Sequence, residues 1–145
     1  MKKYTFAVLS VLTLLFASCT ASKSASNEGD LFGTTWELEY ISGPRIAFEG
    51  LYPNKKPQLT FDQKETKVYG NNGCNGYSAS YTLKGKSLTF GEEGPTTMMF
   101  CEGGGEQQFL KQIRLITSYS NDKDGKIKLI QGDVPMMRFK KVAKQ

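Results

Sequence analysis

Histidine is absent from all 145 residues of the chain. Its absence excludes nucleophilic sites of the Ser-His and Cys-His types, histidine-ligated zinc, and the commonest general base at neutral pH. The acidic pair Glu92-Glu93 lies among glycine and proline, where a solvated turn is the expected role. The glycine run 103–105 follows an acidic residue, and no lysine completes a phosphate cradle. We therefore expect no catalytic residues, no metal site and no cofactor, in a protein that is not an enzyme.

Long apolar runs are also missing, with one short exception near the N-terminus. Residues 6–16 are mostly apolar but fall short of the roughly 20 residues that a membrane-spanning helix needs. Two lysines precede this run, and two small residues lead directly to Cys19. A positive start, a short apolar core and a small-residue end are typical of a signal peptide. The cysteine directly after them resembles the lipobox of bacterial lipoproteins, so we predict a signal peptide over 1–18 and lipid on Cys19. The alternative is a plain secreted protein with a free thiol.

The segment 19–30 is polar and rich in serine and alanine, which is typical of a flexible tether. The remaining residues, 31–145, have the size of one compact domain. Because one acyl chain holds a protein only marginally, stable anchoring needs the several chains that a bacterial lipoprotein carries. No acidic run follows Cys19 of the kind that sends some lipoproteins to the cell surface. We expect a lipid-anchored protein of the bacterial cell envelope, on the periplasmic side of the outer membrane.

Strong charge of one sign is lacking as well. The formal charge of +5 falls to +3 when the two lysines of the signal peptide are removed, which leaves a mildly basic chain. The basic residues are scattered except for a C-terminal cluster of Arg138, Lys140, Lys141 and Lys144. We expect no nucleic-acid partner, and we interpret the cluster as an edge strand that lysine keeps soluble. An anionic surface as its partner is the alternative.

The pattern of the domain is that of an antiparallel β protein with one helix. Residues 34–41 alternate, with Trp36, Leu38 and Tyr40 on one face. Residues 42–56 form a long connection, whose apolar side chains are expected to fold back onto the core: Ile46, Phe48, Leu51 and Tyr52. Helical spacing of apolar residues predicts a helix over 106–117, with Glu106 in the first turn, where a negative charge suits the helix dipole. The predicted strands are 34–41, 58–61, 67–69, 77–83, 87–90, 126–131 and 136–142. The fold class is therefore α+β, mainly antiparallel β: a small curled or cracked barrel-like sheet with one packed helix, expected as a monomer.

Two cysteines, Cys74 and Cys101, remain once Cys19 carries lipid. Outside the cytoplasm such a pair is most simply a disulfide. Two buried free thiols are a second interpretation, since cysteine behaves as a small hydrophobe. A third is a soft-metal (copper) site, because thiolates and thioethers are the ligands that Cu(I) selects and the chain carries Met98, Met99, Met136 and Met137. We favour core packing for the methionines, with one of each pair facing the core.

Three motifs resemble those of the META-domain family of HslJ-like envelope lipoproteins. The first is the opening strand with Trp36, and the second is the turn formed by Gly73, Cys74 and Asn75. The third places Thr97, Met99 and Cys101 in a T-x-M-x-C segment, followed by Glu106 at the start of the helix. The resemblance implies a small curled β-sheet with a helix, a place in the envelope and a link to stress tolerance. It implies no reaction.

These observations together predict a non-enzymatic lipoprotein that binds a ligand or partner and supports envelope stress tolerance. Besides the membrane that holds its lipid, an envelope protein or a lipid is the expected partner. The alternative is a module for soft-metal (copper) binding or resistance. A hydrolase of envelope polymers is a third hypothesis, which the lack of catalytic groups disfavours.

Overall fold

The computed structural model describes residues 31–122 and 124–142. The predicted signal peptide, Cys19 and the tether lie outside the described residues. Within the described residues, eight strands and two helices follow one another in sequence order. They are β1 (Thr35–Ile41), α1 (Phe48–Leu51), β2 (Gln58–Asp62), β3 (Lys67–Asn71), β4 (Gly76–Lys84), β5 (Ser87–Glu93), α2 (Gly105–Ile113), β6 (Ser118–Asn121), β7 (Ile127–Gln131) and β8 (Val134–Lys141).

The strands form a closed antiparallel barrel in sequence order, and β8 returns to pair with β1. Alternation along each strand directs one face inward; in β4, for example, Tyr77, Ala79 and Tyr81 are buried. The barrel surrounds a single hydrophobic core, and its shortest seam joins β5 to β6 through Ser87 and Ser118. The predicted fold class is confirmed, and the curled sheet is a complete barrel.

Seven of the eight strands were predicted, and β6 is the one that was not. Its residues are Ser-Tyr-Ser-Asn, and only Tyr119 is fully buried, so its pattern carries little hydrophobic signal. The prediction places residues 118–125 between the helix over 106–117 and the strand over 126–131, so it assigns no strand to them. Helix α2 in fact ends at Ile113, and Ile116 is buried beyond its end. No helix among the described residues is long and apolar enough to cross a bilayer.

Strand β1 departs from the predicted alternation at its end. Its register against β8 shifts between Leu38 and Tyr40, which marks a bulge. A bulge inserts one extra residue and turns the following side chains over. Tyr40 is therefore exposed and Ile41 is buried, the reverse of the prediction. In the connection that follows, Leu51 and Tyr52 are buried as predicted, whereas Ile46 is exposed.

Arg138, Lys140 and Lys141 of the C-terminal basic cluster do not lie on an edge strand, which corrects the sequence interpretation; Lys144 lies outside the described residues. Strand β8 is paired on both sides, and its outward charges lie beside acidic residues of β1. Arg138 contacts the carboxylate of Glu39 at 2.5 Å. Lys126, directly before β7, contacts the same carboxylate at 2.9 Å. Burial alone would raise the pKa of Glu39, but the hydrogen bonds and charges of these two cations outweigh it and hold the pKa below its ordinary value.

The first described residues and the loop between β5 and α2 lie at opposite ends of the barrel. The first described residues lie beside Phe61, at the end of β2 from which the chain turns into β3. The connection from β3 to β4, residues 72–75, lies at the opposite end of the same strands. The loop between β5 and α2 packs against that second end, so it lies at the opposite end of β2 and β3 from the first described residues.

Candidate functional site

The loop between β5 and α2, residues 94–104, is called the tip loop here. A disulfide joins its Cys101 to Cys74, in the connection between β3 and β4, with 5.8 Å between the two Cα atoms. The predicted disulfide is thus present. Because the two sulfur atoms are bonded to each other, neither is a thiolate ligand, which removes the main support for a copper site. Among residues 31–122 and 124–142, no group of three or more Cys, Asp, Glu or His side chains is arranged to hold a metal ion.

Asn75 is the second link between the tip loop and the barrel. Its side-chain oxygen accepts hydrogen bonds from Thr97 Oγ1 at 2.7 Å and from the backbone N–H of Met99 at 2.8 Å. Its side-chain nitrogen donates to the Met99 carbonyl at 3.0 Å and to Glu106 Oε1 at 2.9 Å. The amide thus uses all four of its hydrogen-bonding positions while only 3% exposed. This buried asparagine fixes the path of the tip loop.

Asn72 and Glu106 both form hydrogen bonds with Asn75. The Asn72 side-chain oxygen accepts the backbone N–H groups of Cys74 at 3.1 Å and Asn75 at 2.8 Å, so it folds the turn between β3 and β4. Its nitrogen donates to Glu106 Oε1 at 2.8 Å, the same oxygen that Asn75 contacts. Glu106 lies in the first turn of α2, as predicted, and thereby connects the helix to both asparagines. Sequence analysis missed Asn72, although asparagine in a glycine-rich segment is a recognised turn signal.

Tyr52 packs between two glycines and closes the base of the site. A Cβ atom on Gly73 would lie 2.5 Å from the Tyr52 ring, and one on Gly105 would lie 2.4 Å from it. Both positions therefore need glycine, and Gly73 also has a positive φ of 94°. The Tyr52 hydroxyl donates to the Gly105 carbonyl at 2.9 Å, and burial raises the pKa of this phenol. The ring anchors both the turn and the start of α2.

Three side chains at the outer end of the tip loop form what is called the apolar tip: Met98, Met99 and Phe100. Met98 is 97% exposed, Phe100 is 91% exposed and Met99 is 58% exposed. These values correct the expectation that one methionine of the pair faces the core. The chain runs here as an irregular loop, so no strand alternation turns either side chain inward. An open depression of about 400 Å³ lies beside the tip, lined by it and by Asn75, Thr96, Thr97, Cys101, Glu106 and Gln107.

The remaining motif residue, Trp36, does not belong to this site. It is 1% exposed in the core, and its indole N–H donates to the Leu31 carbonyl at 3.0 Å. Leu31 lies at the N-terminal end of the barrel, away from the tip loop. Trp36 therefore holds the start of the domain in place, while Gly73, Cys74, Asn75, Thr97, Met99, Cys101 and Glu106 converge at the tip loop.

A second depression lies beside α1. Its volume is about 210 Å³, and it is lined by Tyr40, Ile41, Gly43, Pro44, Ile46, Phe48 and Leu51. Lys56 Nζ lies 5.5 Å from the centre of the Phe48 ring, and Arg138 Cζ lies 5.6 Å from that of Tyr40. Arg138 is already paired with Glu39, so Lys56, beside Phe48, is the cation that a negatively charged ligand group would meet.

The family model described as META domain matches residues 29–143 of the chain. Among solved structures, the chain is similar to an NMR structure of a protein from Burkholderia xenovorans, with 26% sequence identity and a TM-score of 0.60. That match covers 80% of this chain and 86% of the other. The comparison with curated proteins found no significant match.

Proposed function

The chain belongs to the META-domain family of bacterial envelope-associated proteins, and from this premise we propose that it is a non-catalytic binding module of the envelope. In this proposal lipid on Cys19 anchors the chain, the apolar tip binds a protein partner, and the complex supports envelope stress tolerance. The partner has an apolar depression that receives Met98 and Phe100.

The exposed and pinned apolar tip is the observation that carries this proposal. Single exposed apolar residues are ordinary on protein surfaces, whereas a contiguous group marks an interaction site. Methionine and aromatic residues are enriched where protein interfaces are most buried. The Cys74–Cys101 bond and the Asn75 hydrogen bonds hold the loop before any partner arrives. Such prior ordering lowers the entropy cost of association, which favours binding.

The position of the tip leaves it available to a protein partner. The N-terminal segment and the tip loop lie at opposite ends of β2 and β3. A fully extended tether over 19–30 would reach about 40 Å at roughly 3.4 Å per residue. A flexible tether of that reach leaves the barrel free to turn, so the tip can face the periplasm, where a protein partner would meet it.

A complementation experiment tests the proposal. A strain that lacks the gene is given the wild-type chain, the double variant Met98→Glu/Phe100→Glu, or the control Val134→Glu, which alters an exposed apolar residue on β8. We expect the deletion to increase sensitivity to detergent, heat and large antibiotics. Wild type and the Val134 variant should restore tolerance, and the double variant should not. A deletion strain as tolerant as its parent would contradict the proposal, and so would full rescue by the double variant.

The depression between Tyr40 and Phe48 favours a second candidate function, the binding of an acyl chain that carries an anionic head. Lys56 has no ion-pair partner among the described residues, so it is free to contact such a head group. Titration of the domain with dodecanoate, followed by NMR, should shift the signals of Ile46 and Phe48 and leave those of Val134 unchanged. Saturable shifts that disappear in Ile46→Glu would support this candidate, and unchanged spectra would remove it.

A further inference from the structure

We propose that Met98 and Met99 are a reversible oxidation site that switches the apolar tip to a polar surface. The proposal rests on the proposed function of the tip and names its regulation. Oxidation of a thioether to a sulfoxide replaces an apolar side chain with a polar one. At a surface that binds through its apolar contacts, this change would weaken the partner's hold.

Exposure separates the two methionines of the tip from the other pair. Met98 is 97% exposed and Met99 is 58% exposed, whereas Met137 is fully buried in the core and Met136 is half-buried. Because an oxidant in solution must reach the sulfur atom, the tip methionines are the ones that it meets first. The molecule therefore contains its own protected control in Met137.

The tip can be oxidised without loss of the fold, because its methionine side chains do not hold the loop. The bonds from Asn75 use only the backbone N–H and carbonyl of Met99. The disulfide uses Cys101, and further links use the hydroxyls of Thr96 and Thr97. A sulfoxide on either methionine leaves all of these contacts unchanged, so the loop keeps its path while its surface becomes polar.

The chemistry needs an oxidant and a repair enzyme, both of stated classes. Hydrogen peroxide transfers one oxygen atom to the sulfur; the sulfur loses two electrons, the O–O bond breaks and water leaves. A methionine sulfoxide reductase returns two electrons from a dithiol, which becomes a disulfide, and releases the oxygen as water. The cycle therefore balances without any group from this chain other than the thioether.

The first part of the test uses the purified domain and hydrogen peroxide, and it does not depend on a partner. Peptide mass spectrometry follows oxygen addition at each methionine, and NMR follows the fold. We expect Met98 to be oxidised at least about tenfold faster than Met137, with the fold retained. Retention on a hydrophobic column should fall, and methionine sulfoxide reductase should restore it. Equal rates at the two methionines, or unfolding on oxidation, would overturn the proposal.

The second part uses the complementation strain and measures the ratio of tolerance after and before a peroxide pulse. The ratio should fall for the wild-type chain and should not fall for Met98→Leu/Met99→Leu, whatever the starting level of that variant. If Phe100→Glu abolishes rescue while the leucine variant remains as sensitive to peroxide as wild type, the inference fails and the proposed function stands. If Phe100→Glu rescues fully, the proposed function itself fails.

Discussion

Replacing Asn75 with alanine removes four hydrogen bonds from the interior of the candidate site. Three of them join neutral groups and contribute about 1 kcal/mol each, while the bond to Glu106 contributes about 2 kcal/mol because its acceptor is a carboxylate. The resulting upper bound is about 5 kcal/mol. Met99 is 58% exposed, so water can replace Asn75 at its backbone groups and reduce the loss. We expect the free energy of unfolding to fall by about 3 kcal/mol.

Urea denaturation of the oxidised domain measures this loss directly. The control is Asn54→Ala, which truncates an exposed asparagine in a loop and should change the stability by less than about 0.5 kcal/mol. Hydrogen exchange at the Met99 amide should also accelerate in the Asn75 variant, since that amide loses its acceptor. A loss below about 1 kcal/mol, with unchanged exchange at Met99, would refute the role assigned to Asn75.

Three further changes test other parts of the structure. The double variant Cys74→Ala/Cys101→Ala opens a loop with a sequence separation of 27 and should lower the unfolding free energy in urea by about 3–4 kcal/mol; no loss would contradict its stabilising role. Gly70→Ala would place Cβ 1.8 Å from the Gln58 carbonyl, so the variant should lose at least about 3 kcal/mol of stability or fail to fold. Because the folded pKa of Glu39 is lowered, its stabilising effect is present above the unfolded pKa and disappears as pH falls through the folded pKa. Glu39→Gln should therefore be less stable than wild type at pH 7 in thermal melts and equally stable in acid, and a pH-independent difference would argue against this linkage.

Much of the barrel could be predicted from sequence because its strands alternate strongly. In β4, for example, the alternation of Tyr77, Ala79 and Tyr81 predicts the inward face from the local sequence alone. Strand β6 could not be predicted, because its single fully buried residue, Tyr119, supplies no alternation. The bulge in β1 was equally hidden, since the register shift that turns Tyr40 outward arises from pairing with β8, about 100 residues away along the chain.

Some features of the candidate site could likewise be predicted from sequence, and others could not. The Cys74–Cys101 pair could be proposed from cysteine count and expected compartment, and the motif around Asn75 from the family resemblance. The hydrogen bonds of Asn75 could not, because their acceptors and donors in the tip loop lie 22–24 residues further along the chain and share no periodicity with it. The exposure of Met98 could not be predicted either, because it depends on the path of an irregular loop and not on a local sequence pattern. Local pattern therefore predicts the frame of this protein, while its long-range polar contacts determine the surface that we propose to be functional.

Photo-crosslinking in living cells tests the apolar tip as a binding surface most directly. A photoreactive amino acid is placed at position 98 in one strain and at position 134, also an exposed apolar position, in another. We expect a discrete protein adduct from position 98, a marked loss of that adduct when Phe100→Glu is added to the same chain, and no adduct from position 134. No adduct at position 98, or one that survives Phe100→Glu unchanged, would contradict the account.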